Sequence, residues 1–172
     1  MNATTFADLG TARASGARDL AGIVYDHDKR LIYTVDRMTG DLYVFEWNSS
    51  AHTLTLESHV NLTHTSRAYG IALDETNDIL YVADGHSREF DWYDTDTWTH
   101  LGTKVTTHAV VGIAVDTKNR FIYTSGGLWQ YPPYDYGLYK YDMIKDRETA
   151  ILNDPSGIHA EILDVEVDQN SS

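Results

Sequence analysis

One pattern occurs three times in the chain, and this repetition constrains the fold more than any other feature. Each copy is an apolar run that starts at a glycine and ends at an aspartate, then four polar residues, then a second apolar run. The copies start at Gly22, Gly70 and Gly112, so they are 48 and 42 residues apart. A tyrosine follows each aspartate after seven positions, in the pairs Asp26 and Tyr33, Asp74 and Tyr81, Asp116 and Tyr123.

The repeat unit has the pattern of a four-stranded antiparallel sheet. Its two apolar runs are too short for helices and rich in β-branched and aromatic residues, so each copy is predicted to begin with a β-hairpin. A third strand is predicted at 41–45, 90–93 and 137–141, and a weaker fourth at 53–56, 99–103 and 149–152. The spacing is that of β-propeller blades, so the predicted fold class is all-β, a partial propeller ring of four-stranded antiparallel blades.

Three segments resemble known propeller repeats. They are the opening Gly112–Asp116, the second strand Leu80–Asp84 and the third-strand exit Tyr93–Thr97. These segments resemble the NHL, YVTN and YWTD types of β-propeller repeat, and the resemblance extends from about residue 20 to 168. It implies a binding face built from two kinds of loop, those that join strand four to the next strand one and those that join strand two to strand three.

The domain organisation predicted from the repeat is a single propeller segment over residues 1–172. Its parts are an outer strand of a preceding blade at 4–12, blades at 20–60, 68–104 and 110–153, and the first strand of a fourth blade at 162–168. Three blades do not close a ring, because each blade buries its faces against two neighbours. We therefore expect either a portion of a longer propeller or a half-ring that a second copy completes as a homodimer; an open stack, stable alone, would leave apolar faces in water.

The charge balance limits the classes of partner. The chain has 26 acidic and 13 basic residues, a formal net charge of −13, and no cysteine. Nucleic acid and acidic membrane surfaces are therefore not expected as partners, and disulfides are excluded. No stretch approaches 18 apolar residues, so no membrane span is predicted.

The third blade carries an aromatic insertion of about six residues between its second and third strands. Its aromatic residues are Trp129, Tyr131, Tyr134 and Tyr136. A proline-stiffened aromatic loop provides rigid contact area for a protein or glycan, although such a loop can also fold onto its own blade. With His86, Arg88 and Arg67 on the same rim, it is the predicted ligand-binding surface.

A second group of residues allows a metal site. His64, His108 and His159 each precede the start of a blade by a few residues, and Asp84 follows a second strand. If they converged on the ring axis they would form a site for zinc or another divalent ion. The alternative is that they are polar loop residues, and the working expectation is that the protein has no cofactor.

The repeated aspartates at the hairpin starts have a simpler explanation. A residue that recurs in every blade at a turn is predicted to accept hydrogen bonds from local backbone N–H groups.

Four Asn-x-Ser/Thr sequons occur, of which Asn48 and Asn61 are the glycosylation candidates; the other two start at Asn2 and Asn170. This number of sequons predicts a secreted or cell-surface glycoprotein, and the charge balance makes it an acidic protein.

Three functional hypotheses follow. The first is a non-enzymatic binding module that recognises a protein or glycan through its loop face, since no local catalytic motif is present. The second is a metal-dependent enzyme like the propeller lactonases or NHL-type lyases. The third is a structural repeat of a large surface protein.

Overall fold

The computed structural model describes residues 12–126, 137–153 and 165–167, and these contain twelve β-strands and no helix. The strands are β1 Leu20–Asp26, β2 Leu31–Asp36, β3 Asp41–Asn48, β4 Thr53–Asn61, β5 Ala68–Asp74, β6 Ile79–Asp84, β7 Glu89–Asp94, β8 His100–Val105, β9 Gly112–Asp116, β10 Phe121–Ser125, β11 Gly137–Asp142 and β12 Arg147–Asn153. They form three antiparallel four-stranded sheets, each in chain order. The all-β prediction of a partial propeller is confirmed. We call the sheets blades 1, 2 and 3.

The two strands predicted at the ends, 4–12 and 162–168, fall almost entirely outside the described residues, as does the aromatic insertion. Within the described ranges there is no helix of the length and apolarity that a membrane crossing needs.

All eight fully described hairpin turns are built in the same way. An aspartate or asparagine ends the first strand and accepts at least one amide N–H from within its own turn, and the residue four positions later has a φ between 49° and 72°. The pairs are Asp26 and Arg30, Asp36 and Gly40, Asn48 and His52, Asp74 and Asp78, Asp84 and Arg88, Asp94 and Trp98, Asp116 and Arg120, Asp142 and Asp146. The predicted structural role of the repeated turn aspartates is confirmed wherever the structure describes them.

The blades pack face to face around their first strands. Between blades 1 and 2 the core includes Tyr33, Val35 and Val44 on one side and Leu80 and Val82 on the other. Between blades 2 and 3, a second core contains Tyr81 and Phe90 on one side and Val115 and Ile122 on the other. These two cores remove most of the large apolar side chains from water, which is the main source of stability in such a stack.

The repeated glycines lie where the first strands of neighbouring blades touch. A Cβ atom on Gly22 would be 2.5 Å from the carbonyl oxygen of Tyr69, and one on Gly70 would be 2.7 Å from that of Val111. The amide of Gly70 also donates to the Val111 carbonyl at 2.8 Å. The repeat therefore has glycine at this position because backbone from the next blade occupies the space of a side chain.

Ion pairs join the blades at their edges. The Lys29 ammonium of blade 1 lies 2.8 Å from a carboxylate oxygen of Asp78 and 2.7 Å from one of Asp96, both in turns of blade 2. Lys104 of blade 2 similarly pairs with Asp146 of blade 3.

Candidate functional site

The antiparallel order places the connections at two opposite ends of the blades. We call one end the upper face; its described connections are 12–19, 36–40, 62–67, 84–88 and 106–111. The lower face consists of the hairpin turns 26–31, 48–53, 74–79, 94–99, 116–121 and 142–147. The upper face is the one built from the two kinds of loop that the sequence resemblance assigns to binding.

Two buried aspartates, Asp36 and Asp84, each accept hydrogen bonds from two neighbouring upper loops. Asp36 accepts hydrogen bonds from the amides of Arg18 and Met38, the latter at 2.8 Å, and Asp19 adds a longer one. Burial by itself favours the protonated acid, but these amide donors prevail and hold the pKa of Asp36 below its usual value. Each such carboxylate therefore ties a loop between blades to a loop within a blade.

Asp84 takes the same position in blade 2. It accepts from the amide and hydroxyl of Ser66 at 2.7 and 3.0 Å, and from the amides of His86 and Ser87. Its side chain is fully buried and engaged with local donors, so the structure places this predicted metal-ligand candidate in a turn cap.

Blade 3 has Gly126 at this repeat position, and a buried histidine lies on the loop that precedes this blade. The His108 side chain is 1% exposed, its Nε2 atom lies 3.0 Å from Thr124 Oγ1, and its ring stacks on Tyr139 at 3.7 Å. The packing role of His108 was not predicted. The signal available in the sequence was the loss of the repeated aspartate at residue 126.

Arginine is concentrated on the upper face. Its loops carry five arginines and no lysine against three aspartates, and two of those aspartates are the buried turn caps Asp36 and Asp84. The arginines are Arg13, Arg18, Arg37, Arg67 and Arg88. The lower turns instead carry ten acidic and six basic residues. The described loops of the upper face therefore have a net positive formal charge, although the chain as a whole is acidic.

Backbone contacts position several of these arginines. The amide of Arg37 donates to the Asp19 carbonyl at 2.9 Å, and the amide of Gly85 donates to the Arg67 carbonyl at 3.3 Å in the equivalent place. The Arg88 carbonyl accepts from the amide and hydroxyl of Thr106. Arg67 and Arg88 therefore lie on adjoining loops.

The Arg37 side chain reaches from its turn to the next blade. Its guanidinium pairs with the Asp19 carboxylate and lies 5.5 Å from the centre of the Tyr69 ring. The hydrogen bonds that the Arg37 guanidinium donates to the Asp19 carboxylate raise the pKa of Arg37, so the side chain stays charged at any physiological pH.

The structure brings together only part of the predicted ligand-binding surface. Arg67 and Arg88 are half-buried and His86 is exposed, all on neighbouring upper loops. The aromatic members of that surface, Trp129, Tyr131, Tyr134 and Tyr136, lie outside the described residues.

The described members of the predicted metal site belong to separate packing arrangements. The exposed His64 stacks on His100 at 3.7 Å, and His100 in turn contacts the buried Asp91, whereas His108 packs in blade 3. His159 lies outside the described residues. Across 12–126, 137–153 and 165–167, no three His, Asp or Glu side chains are grouped so that they could hold a metal ion.

Both described sequon asparagines are exposed. Asn48 begins a lower turn, where its Oδ1 atom accepts two amides, and Asn61 ends β4 with its Nδ2 atom 2.9 Å from Asp41.

With this geometry in place, one family model matches the sequence, the lactonase family of seven-bladed β-propellers, over residues 2–119. The chain belongs to this lactonase family. The match covers more than half of the chain and agrees with the blade architecture. No curated protein sequence matches this lactonase-family chain.

Solved structures show the same fold. A nidogen/laminin complex contains a chain with 14% identity and a TM-score of 0.61, over 79% of this chain and 49% of that one. A 6-phosphogluconolactonase candidate from Bacteroides uniformis has 14% identity and a TM-score of 0.59, over 81% and 42%. A Kuenenia stuttgartiensis hydrazine synthase chain has 13% identity and a TM-score of 0.57, over 81% and 38%. The lactonase-family chain therefore spans less than half the length of each of these three matched chains.

Proposed function

We propose that this chain supplies blades to a lactone-hydrolysing propeller whose upper face binds a lactone that carries a carboxylate or phosphate group. The observation that carries the proposal is the concentration of five arginines on one end of an otherwise acidic chain. Guanidinium groups bind carboxylate and phosphate through paired hydrogen bonds. Membership in the lactonase family and the 6-phosphogluconolactonase candidate among similar structures support the choice of reaction.

The proposed reaction is hydrolysis of the lactone ring. Water attacks the lactone carbonyl carbon, the ring C–O bond breaks, and the ring oxygen takes a proton, which yields a hydroxy acid. The negative charge that develops on the carbonyl oxygen is stabilised by nearby cations, a role for Arg67 and Arg88. An imidazole on the same face, His64 or His86, is suited to accept the proton of the attacking water.

The test compares two substrates and two variants. Acid release is followed by pH-stat with 6-phosphogluconolactone and with gluconolactone, above the spontaneous rate. Arg67→Gln should raise KM for the phosphorylated lactone roughly tenfold or more, since it removes a charged hydrogen-bond donor. The control Arg147→Gln changes an exposed lower-face arginine and should leave both reactions unchanged. Absence of acid release above background from the assembled propeller that contains the unmodified chain would reject lactone hydrolysis.

A binding module without catalysis is the second candidate. The nidogen/laminin complex among similar structures supports it, because a propeller there occurs in a protein assembly. In that case a protein or glycan would occupy the rim at Arg67, His86 and Arg88, and the exposed sequons Asn48 and Asn61 would carry glycans on a secreted or cell-surface protein. A mass shift on glycosidase treatment of the natively expressed protein tests this location, and specific glycan or protein binding lost in Arg67→Gln tests the site.

A further inference from the structure

A buried carboxylate of blade 2 lies beneath the upper loop 62–67. The Asp91 side chain, in β7, is fully buried, and one of its oxygens accepts the Thr65 hydroxyl at 2.9 Å. Its other oxygen accepts the Thr103 hydroxyl of β8 and lies 3.0 Å from the Nε2 atom of His100. Asp91 therefore joins the upper loop to the third and fourth strands of its blade.

Further contacts fix the same part of the loop. The Tyr93 hydroxyl lies 3.0 Å from Thr65 Oγ1 and accepts the amide N–H of His64. Burial raises the pKa of Tyr93 to about 12, so its hydroxyl keeps a proton that it can donate to Thr65, whose own proton goes to Asp91. On the side of blade 1, a Cβ atom on Gly40 would collide with the Thr65 carbonyl oxygen. Thr65 is thus held by both blades.

The carboxylate at this position is not a feature of the repeat. In the same register with the second strand, blade 1 has Tyr43 where blade 2 has Asp91, and blade 3 has Tyr139. Removing a carboxylate from water is costly, so its presence in one blade indicates a task that the other two blades do not share. The loop held by Asp91 also carries Arg67, three positions before the opening glycine of its blade, where blade 1 has an aspartate and blade 3 an alanine.

We infer that Asp91 is a positioning residue for the lactone site, an inference that rests on the proposed function. Through Thr65 it holds the loop in the conformation from which Arg67 binds the carboxylate or phosphate of the substrate. The next residue, Ser66, donates its amide and its hydroxyl to Asp84. The two residues before Arg67 are therefore each bound to a buried carboxylate, so the backbone that carries the guanidinium loses little further freedom when an anion binds.

Hydrogen exchange tests the positioning step without any substrate. Thr65→Val keeps the shape of the side chain but removes its hydroxyl, and in the assembled propeller that contains this chain it should speed exchange of the loop amides about tenfold. The matched control is Thr103→Val, which removes the other hydroxyl that Asp91 accepts and should leave exchange in the loop unchanged. Thr65→Ser keeps a hydroxyl and should keep the slow exchange of the unmodified protein.

Kinetics with 6-phosphogluconolactone test the consequence for the site. Thr65→Val should raise KM about threefold or more, and raise it by a larger factor than it lowers kcat, whereas Thr103→Val should change neither. If the unmodified propeller releases no acid, the lactone proposal fails, and the exchange measurement still decides whether Asp91 holds the loop. Loop exchange that is unchanged in Thr65→Val, or equally fast in Thr103→Val, would overturn the inference. An unchanged KM despite faster exchange would show that the loop is held for stability alone and would also overturn it.

Discussion

At the scale of single residues, backbone crowding explains the strictest position of the repeat. The space beside Gly70 is occupied by the Val111 carbonyl and by the backbone of Gly112 and Ile113. These are main-chain atoms of a neighbouring strand, so they cannot move aside as the end of a flexible side chain can.

We expect Gly70→Val to destabilise the protein by about 3 kcal/mol, because the new side chain must push two blades apart. The matched control is Ala51→Val, which adds a branched side chain in an exposed turn and should change stability by less than about 0.5 kcal/mol. Urea unfolding followed by tryptophan fluorescence measures both. Equal midpoints would show that the blades are not in close contact at this glycine.

The second residue-scale prediction concerns Asp36. Its lowered folded-state pKa means that its ionised form contributes stability above the unfolded pKa of about 3.8, and that this stability is lost as pH falls through the lower folded-state pKa. Asp36→Asn should cost about 2 kcal/mol at pH 7 by weakening the bonds to the Arg18 and Met38 amides.

The pH dependence distinguishes loss of the Asp36 charge from a loss of stability that arises only because the new side chain packs poorly. The loss of stability between pH 5 and pH 3 should be smaller in Asp36→Asn than in the unmodified chain, as measured by thermal unfolding. An identical loss in both proteins would contradict the role of the Asp36 charge.

At the scale of elements, one type of hairpin turn recurs in all the described blades. Seven aspartates and one asparagine start the eight described turns, so a substantial part of the acidic excess serves local hydrogen bonding. The fourth position after each of them adopts a left-handed conformation, although Gly40 is the one glycine among the eight. The other seven turns hold a side chain where glycine would be less strained.

Replacing one of these residues by glycine should therefore stabilise the protein. Arg120→Gly removes the strain of a residue at φ 60° and should increase stability by up to about 1 kcal/mol. Lys118 in the same turn lies outside the left-handed region, so Lys118→Gly should decrease stability, because glycine there only adds conformational freedom to the unfolded chain. Thermal unfolding of the two variants should shift in opposite directions, and shifts of the same sign would contradict the turn geometry.

At the scale of the whole molecule, the first and second blades differ in how much of the same sheet face is covered. The Ile23 side chain of blade 1 is 71% exposed, whereas Ile71, at the same repeat position in blade 2, is 6% exposed because blade 1 packs on it. Burial of an apolar face against a neighbouring blade stabilises the folded state and not the unfolded chain.

The two faces of the molecule also differ in charge, and this difference emerges only in the fold. The arginines of the upper face are scattered from residue 13 to residue 88. The strand order brings their loops to one end, because every second connection of an antiparallel sheet returns to the same side.

The amino-acid sequence by itself determined the strands, the turns and the blade architecture, since alternation and turn aspartates act between near neighbours. The tertiary structure alone decided which loops adjoin, that Gly70 faces the next blade, that His108 is buried against Tyr139, and that Ile23 remains exposed while Ile71 is buried. Such properties depend on contacts between residues 16 or more positions apart, and no local pattern encodes which distant backbone or side chain will occupy a given space.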